Sequence, residues 1–249
     1  MDTNITGKVA LVTGASAGIG RATALALARE GAQVVVTARR AALLEELSAE
    51  MQVHSGAHPI LSPLDIMRPK AASELAQAAL ERTGHVDILV NCAGGSRRVA
   101  VDASDDVWDE SFVFNFTRAR QLTQALLPAM TERRWGRIVN ITGKSEPDHM
   151  NVAWAVKAAM HGWAKALSRE VGPHGITVNS VAPGKIMSEQ ILAKYSREEL
   201  DRYAMEAPVR EIGRPEDVAN LVTYLASPLA RYITGTVIPV DGGLRRYAF

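Results

Sequence analysis

The sequence predicts an α/β fold in which one mostly parallel β-sheet is covered by helices on both faces. Seven short apolar runs alternate with segments of helical character, and the first run ends in glycines that open a helix. The predicted strands are residues 8–12, 33–37, 59–62, 86–91, 136–142, 175–181 and 236–240. Alternating strands and helices are typical of parallel sheets, because the crossover helices cover both faces. We therefore predict a single, doubly wound domain with a seven-stranded sheet over residues 1–249.

The first predicted strand leads into a glycine-rich turn, Gly14-Ala15-Ser16-Ala17-Gly18-Ile19-Gly20. Glycine lets the backbone turn sharply and leaves no Cβ between the chain and a ligand. The helix that follows directs its N-terminal N–H groups and its dipole at the turn. This arrangement suits a pyrophosphate, and its position between a strand and a helix strengthens the interpretation.

The middle of the chain follows the same pattern of strands and helices. Leu44, Leu47 and Met51 form the apolar stripe of the helix after the second strand. Ser104, followed by two aspartates, predicts the N-cap of a long helix through Ala125. In doubly wound sheets, ligands bind beyond the carboxyl ends of the strands. Polar residues and glycines end six of the predicted strands, so we expect the binding site at that edge.

The composition excludes several classes of function. The chain has 28 Lys and Arg residues against 27 Asp and Glu, which predicts neither a nucleic-acid nor a membrane partner. No apolar run approaches the roughly 18 residues that span a bilayer, and the first twenty residues do not form a secretory signal. Cys92 is the only cysteine and is expected to be a buried residue rather than a nucleophile. We expect a cytoplasmic protein with a small-molecule substrate and no metal site.

Several spaced motifs resemble the short-chain dehydrogenase/reductase family over nearly the whole chain. They are Thr13-Gly14-Ala15-Ser16-Ala17-Gly18-Ile19-Gly20, Asn91-Cys92-Ala93-Gly94, Asn115, Val178-Asn179-Ser180-Val181-Ala182-Pro183-Gly184, Gly213-Arg214-Pro215-Glu216-Asp217 and Val240-Asp241-Gly242-Gly243. The resemblance implies a Rossmann-type fold with a nicotinamide cofactor lying across the strand ends and substrate above it. It also implies a homotetramer, with helices near 105–130 and 151–170 between subunits and residues 237–249 at another contact.

The resemblance assigns a role to each group of cofactor residues. The implied cofactor contacts are Gly14, Ser16, Ala17, Gly18, Ile19, Gly20, Arg39, Asp65, Ile66, Asn91, Ala93, Gly94, Lys157, Pro183, Gly184, Ile186 and Ser188. Family members that prefer NAD have an acidic residue where this chain has Ala38, and Arg39 follows with a guanidinium that suits a 2′-phosphate. We therefore favour NADP(H) over NAD(H). Arg40 either assists Arg39 or is solvated.

The catalytic motif of the family is incomplete in this chain. Family members use a serine after the fifth strand and a Tyr-x-x-x-Lys on the next helix. Lys157 matches the lysine, whereas Gly143 and Ala153 stand at the serine and tyrosine positions. Asn115 and Lys157 belong to a proton relay in such enzymes. General acid catalysis typically supplies about 10²–10⁴-fold in rate and one oxyanion donor about 10²–10³-fold, so loss of both should nearly silence ordinary ketone reduction.

Substitute groups are available in the loop that follows the fifth strand. Thr142 and Ser145 offer displaced hydroxyls, and His149 or Lys144 offers an acid. His161, one turn beyond Lys157, is either a further candidate or a packing or interface residue. His149, likewise, is either an acid or a solvated or capping residue of the loop.

Two functions therefore remain open. One is an NADP(H)-dependent oxidoreductase acting on an unidentified carbonyl, alcohol or related compound with an atypical proton donor. The other is a non-catalytic NADP-binding protein that serves as a sensor or as an oligomer partner; different chemistry in the same pocket is a weaker third possibility. Residues 187–205 are expected to form a mobile lid over the substrate.

Overall fold

A computed structural model describes residues 2–143, 146–147 and 149–246, and they form one seven-stranded sheet in which every strand pair is parallel. The strands are β1 (Val9–Thr13), β2 (Gln33–Ala38), β3 (Ile60–Pro63), β4 (Ile88–Asn91), β5 (Gly136–Ile141), β6 (Ile176–Pro183) and β7 (Val237–Val240). The helices are α1 (Gly18–Arg29), α2 (Ala41–Ser55), α3 (Ala71–Thr83), α4 (Asp105–Phe112), α5 (Arg118–Arg133), α6 (Val152–Val171), α7 (Glu189–Lys194), α8 (Arg197–Glu206) and α9 (Pro215–Leu225). The predicted single-domain, doubly wound fold is confirmed.

The strand order determines where a ligand can bind. The sheet runs β3-β2-β1-β4-β5-β6-β7, so the chain leaves β1 in one direction to build β2 and β3 and returns on the other side to build β4. The connections after β1 and after the neighbouring β4 therefore diverge to opposite faces of the sheet. They leave a crevice at the carboxyl ends of these two strands, where the glycine-rich turn lies.

Each face of the sheet has its own apolar core. Alternate residues of β1 point to opposite faces, so Ala10 and Val12 join one core while Val9 and Leu11 join the other. The first core is closed by α1, α2 and α9, with Leu44, Leu47 and Met51 of α2 fully buried. The second is closed by α3, α5 and α6. Continuous burial along β1 is what a parallel strand covered on both faces requires.

The predicted long helix begins after Ser104, as expected, but it is longer and less regular than its sequence suggests. It reaches Arg133 rather than Ala125, and residues 113–117 form a π-helical turn between α4 and α5. Such a turn inserts one residue into the helical hydrogen-bond ladder. The Asn115 side-chain amide donates to the Ser111 carbonyl oxygen at 3.2 Å, so it supplies a hydrogen bond to the last turn of α4.

The segment predicted as a lid is helical. It contains α7 and α8, and Ser196 and Glu199 form a capping box at the start of α8. The side chains of Gln190 and Lys194 are not described. Among the described residues, no helix is long and apolar enough to cross a membrane.

Candidate functional site

The glycine-rich turn is pressed against the end of β4. Gly14 has φ +69°, and a Cβ placed on it would lie 3.0 Å from the backbone N and Cα of Ala93. The Thr13 hydroxyl oxygen accepts hydrogen bonds from the N–H groups of Cys92 and Ala93, both at 3.0 Å. A Cβ on Gly20 would overlap the Gly14 carbonyl oxygen. These contacts explain why the turn uses glycine, and they hold the N-terminus of α1 at the crevice.

The connection after β6 forms the opposite wall of the crevice. A Cβ on Gly18 would lie 3.6 Å from Cβ of Ser188, so the turn after β1 and the segment before α7 approach each other closely. Ser188 caps α7, its hydroxyl oxygen accepting a hydrogen bond from the Ile191 N–H at 3.3 Å. Gly184 is held by its N–H, which donates to the Val240 carbonyl oxygen at 2.9 Å. Ile186, in turn, bridges to Gly213.

Charged and polar residues line the β2 and β3 side of the crevice. Arg39 and Arg40 are both exposed. Arg40 donates from Nη1 to Glu189 Oε2 at 3.1 Å and from Nη2 to Ser16 Oγ at 3.5 Å. Asp65, after β3, accepts a hydrogen bond at Oδ1 from the Met67 N–H at 3.0 Å.

Asn91 lies at the end of β4, with its side chain directed into the protein. Its amide nitrogen donates to Asn140 Oδ1 at 2.9 Å and to Thr123 Oγ1 at 3.2 Å. The residue is 5% exposed. Its side chain therefore ties β4 to β5 and α5, and its predicted contact with a cofactor stays a prediction.

Asn115 is aligned with the glycines that follow β4. Its Oδ1 accepts a hydrogen bond from the Gly95 N–H at 3.0 Å. A Cβ on Gly94 would lie 2.9 Å from the same oxygen, so a larger residue there would have to displace the Asn115 side chain. The π-helical turn therefore brings Asn115 to the predicted binding edge.

Lys157 reaches the same edge from α6. Its Nζ donates to the carbonyl oxygen of Thr142 at 3.0 Å. A Cβ on Gly143 would lie 3.5 Å from Lys157 Cδ and 4.0 Å from Trp154 Cδ1. A side chain at position 143 would therefore contact the Lys157 side chain. Burial lowers the pKa of Lys157, because desolvation penalises its charged form.

Thr142, predicted as a substitute hydroxyl, is buried and engaged inside the protein. Its Oγ1 donates to the Val181 carbonyl oxygen at 3.0 Å and lies 2.9 Å from His161 Nε2. The pKa of His161 is lowered by burial and, to a smaller extent, by the positive charges of Lys157 and Arg245. The neutral imidazole is therefore favoured beside Thr142.

His149, predicted as a substitute acid, packs its ring against Trp154 with centroids 4.4 Å apart. Both rings line a pocket of about 190 Å³ together with Trp108, Met150 and His161. Ser145 and Lys144 lie outside the described residues.

Comparison with known proteins agrees with this geometry. Residues 14–245 match the family described as enoyl-(acyl carrier protein) reductase. A 3-oxoacyl-[acyl-carrier-protein] reductase of Pseudomonas aeruginosa is 38% identical over 248 residues, which cover 97% of this chain and 98% of the relative. Nodulation protein G of a Rhizobium species is 40% identical over 245 residues, covering 96% and 98%. This chain is a short-chain dehydrogenase/reductase.

A solved structure from the same family superposes closely. The L-sorbose reductase of Gluconobacter frateurii, complexed with NADPH and L-sorbose, has a TM-score of 0.93 and 29% identity, covering 99% of this chain and all of the other. Homologous reductases and dehydrogenases assign oxidoreductase chemistry to this short-chain dehydrogenase/reductase. Its substrate is not given by these similarities.

Two described residues of this short-chain dehydrogenase/reductase bring no polar side chain to the edge where Asn115 and Lys157 lie. Gly143 has none, and Ala153 is 1% exposed at the start of α6. That these residues occupy the serine and tyrosine positions of the family stays a prediction from the sequence. In the described part of the chain, no group of three or more His, Cys, Asp or Glu side chains is arranged to hold a metal ion.

Three hydrogen-bond contacts at the site were not predicted from the sequence. Thr13 joins β1 to the end of β4, Arg40 reaches Glu189 across 149 positions, and His161 meets Thr142 from α6. Only the strand-end position of Thr13 gives a local signal. The other two pairs are created by the packing of α6 and α7 against the sheet edge.

Proposed function

We propose that this protein is an NADP(H)-dependent oxidoreductase that interconverts a small carbonyl compound and its alcohol with an atypical proton donor. The observation that carries this proposal is the convergence of the Gly14 turn, Asn115 and Lys157 at one sheet edge, next to a Gly143 that lacks a side chain. The Gly14 turn and Lys157 suit cofactor binding, and Asn115 and Lys157 belong to the proton relay of the family. Ala153, predicted to stand at the tyrosine position of the family, requires a different source of the proton.

The residues present fit a dinucleotide. The turn has no room for a Cβ at Gly14, where it meets the residues after β4, or at Gly20, where it meets the Gly14 carbonyl oxygen. The N-terminus of α1 faces the crevice without a side-chain cap, so its first N–H groups are available to a phosphate. Ser188 and Gly18 form opposite walls, while Asp65 and Ile66 lie at the end proposed for adenine. NADP(H) is favoured by Arg39 and Arg40 at the end of β2, since a guanidinium forms strong paired hydrogen bonds with phosphate. The NADPH complex of the sorbose reductase supports the same cofactor.

When bound, NADPH supplies a hydride to the substrate carbonyl carbon. The role of this chain is to orient both molecules and to stabilise the oxygen as negative charge develops on it. The Lys157 ammonium, held beside the Thr142 carbonyl, places positive charge at this edge. Asn115 keeps the Gly95 N–H engaged and so fixes the backbone after β4.

We assign the proton-donor role in this proposal to His149. Its ring packs against Trp154 at a tilted angle, and Trp154 Cδ1 is 4.0 Å from the position of a Cβ on Gly143. Thr142 is less suitable, because its hydroxyl already donates to Val181 and is buried. An acid at this position is expected to contribute about 10²–10⁴-fold in rate.

A second candidate function is a non-catalytic NADP-binding protein. It is favoured by Gly143 and by the buried methyl group of Ala153, which leave no hydroxyl at these two positions. Both candidates predict cofactor binding, and only the first predicts turnover.

The test measures binding and turnover in the same sample. NADPH at about 100 times its dissociation constant adds about 2.7 kcal/mol of stability, which for a domain of this size raises Tm by roughly 5–10 °C. A panel of ketones, aldehydes, imines and conjugated alkenes is then assayed for NADPH oxidation. Turnover that falls at least about 100-fold in His149→Gln, with cofactor binding retained, supports the oxidoreductase and its acid.

Other outcomes discriminate between the candidates. Binding without turnover of any compound supports the non-catalytic protein, and no thermal shift with NADPH or NADH contradicts both. Undiminished turnover in His149→Gln contradicts only the assignment of the acid. In a separate experiment, Gly143→Ser combined with Ala153→Tyr should raise ketone reduction if those positions are correctly aligned with the family.

Three further expectations belong to this proposal. We propose a homotetramer formed through α4, α5 and α6 and through the C-terminal segment, by analogy with the family. We also propose that α7 and α8 close over the substrate as a lid. A cytoplasmic location is in keeping with a chain whose single cysteine forms no internal disulfide.

A further inference from the structure

Arg40 and Glu189 form an ion pair that spans the crevice proposed for the cofactor. Arg40 lies between β2 and α2, and Glu189 is the first residue of α7. Their side chains meet at 3.1 Å, while the second Arg40 nitrogen donates to Ser16 in the glycine-rich turn. One guanidinium therefore contacts the turn after β1 and the helix after β6 at the same time.

The pair lies near a second point where the two walls meet. A Cβ on Gly18, one residue beyond the N-cap of α1, would be in van der Waals contact with Ser188, the residue before Glu189. Ser188 also caps α7 and so fixes the start of that helix. The backbone that carries Glu189 is thus fixed at the edge of the crevice.

A phosphate at the β2 end of the crevice would compete with Glu189 for Arg40. Both are anions that accept hydrogen bonds from a guanidinium, and a phosphate offers more charge and more acceptor oxygens. After the exchange, the Glu189 carboxylate would lose its partner and lie close to another anion. Both consequences oppose binding of a phosphorylated ribose and leave an unphosphorylated ribose unaffected.

We infer that Glu189 is a specificity-determining residue: its carboxylate pairs with Arg40, and a ribose 2′-phosphate that binds Arg40 must displace it. The inference rests on the proposed NADP(H) function and extends it, because it makes a residue of α7 responsible for part of the choice between NADPH and NADH. It also links the type of cofactor to the start of the segment proposed as a lid.

The size of the effect follows from the exposure of the pair. The Arg40 and Glu189 side chains are 52% and 66% exposed, so solvent and salt screen their attraction. Exposed ion pairs are typically worth about 0.2–1 kcal/mol, which corresponds to at most about five-fold in affinity. A charge-assisted hydrogen bond from Arg40 to a bound phosphate is stronger, and its loss should cost about ten-fold or more.

The experiment measures the dissociation constants of NADPH and NADH for the full chain and its variants by nicotinamide fluorescence at low salt. Glu189→Gln is expected to tighten NADPH binding roughly two- to five-fold without changing NADH binding. Arg40→Gln should weaken NADPH at least about ten-fold and leave NADH unchanged. In the Arg40→Gln background, Glu189→Gln should have a smaller effect on NADPH, because the competition for the guanidinium no longer exists.

A matched control comes from another exposed ion pair of the same length. Arg97 and Glu110 also meet at 3.1 Å, with side chains 56% and 61% exposed. Glu110→Gln removes the same charge at a residue outside the proposed cofactor contacts and should leave the ratio of the two dissociation constants unchanged. This control separates a local exchange at Arg40 from a general effect of net charge.

The results distinguish this inference from the proposed function. A wild-type protein that binds neither cofactor contradicts the proposed function itself. If the wild type binds NADPH but Glu189→Gln leaves NADPH affinity unchanged, or changes NADPH and NADH equally, Glu189 does not determine specificity. Equal effects of Glu189→Gln and Glu110→Gln lead to the same conclusion.

Discussion

Replacement of Gly14 by alanine tests whether close contact between the turn and β4 creates the crevice. The turn has a positive φ at Gly14, and its missing Cβ faces backbone atoms of Ala93 at 3.0 Å and of Cys92 at 3.2 Å. Backbone atoms cannot move aside as a flexible side chain can. Gly14→Ala should therefore suffer both from strain in the left-handed region and from a steric clash.

Gly84 is the matched control for this variant. It has φ +77° at the end of α3, and a Cβ placed on it would meet nothing within 4 Å. The left-handed conformation costs alanine about 1–2 kcal/mol at either position. Overpacking adds typically about 1–3 kcal/mol at Gly14 alone. We expect Gly14→Ala to reduce the free energy of unfolding by about 1–3 kcal/mol more than Gly84→Ala does.

The assay is urea unfolding followed by tryptophan fluorescence, with thermal unfolding in the presence and absence of NADPH. The additional loss at Gly14 corresponds to a Tm lower by roughly 2–12 °C than that of Gly84→Ala. Gly84→Ala should retain the stabilisation by NADPH, whereas Gly14→Ala should lose most of it, since the turn would move away from β4. Equal unfolding free energies for the two variants would refute the reasoning.

Three further predictions concern residues near the carboxyl ends of β4 and β5. The pKa of His161 is lowered in the folded protein, so the unfolded chain binds a proton at this residue more readily. The free energy of unfolding should therefore fall as the pH drops below about 6.5. His161→Gln should flatten this dependence when unfolding is measured at several pH values. Burial raises the pKa of Cys92 to about 12, so alkylation at pH 8, followed by mass spectrometry, should be slow in the native protein and rapid in urea. Gly143→Ser should change the free energy of unfolding by less than about 0.5 kcal/mol, because its new Cβ makes only ordinary contacts; a larger loss would mean that the space at Gly143 is not open.

Local sequence patterns were sufficient for the elements of the fold. Strands such as β1 can be predicted from a continuous apolar run, because both of their faces are buried. The ends of elements are less certain, since they depend on hydrogen bonds to partners distant in the chain. For example, β6 extends to Pro183 because residues 180–183 pair with β7. The π-helical turn at Asn115 has no proline or glycine to indicate it.

The sequence by itself determined the parallel α/β architecture, the glycine-rich turn and the residues available at each strand end, because these depend on periodicity and on the conformational freedom of single residues. Only the tertiary structure decided which side chains at those strand ends face the crevice. Asn91 turns inward to Asn140, Thr142 is buried against His161, and Arg40 reaches Glu189. Each of these outcomes depends on the orientation of a partner that lies at least 19 positions away, and no local pattern encodes that orientation.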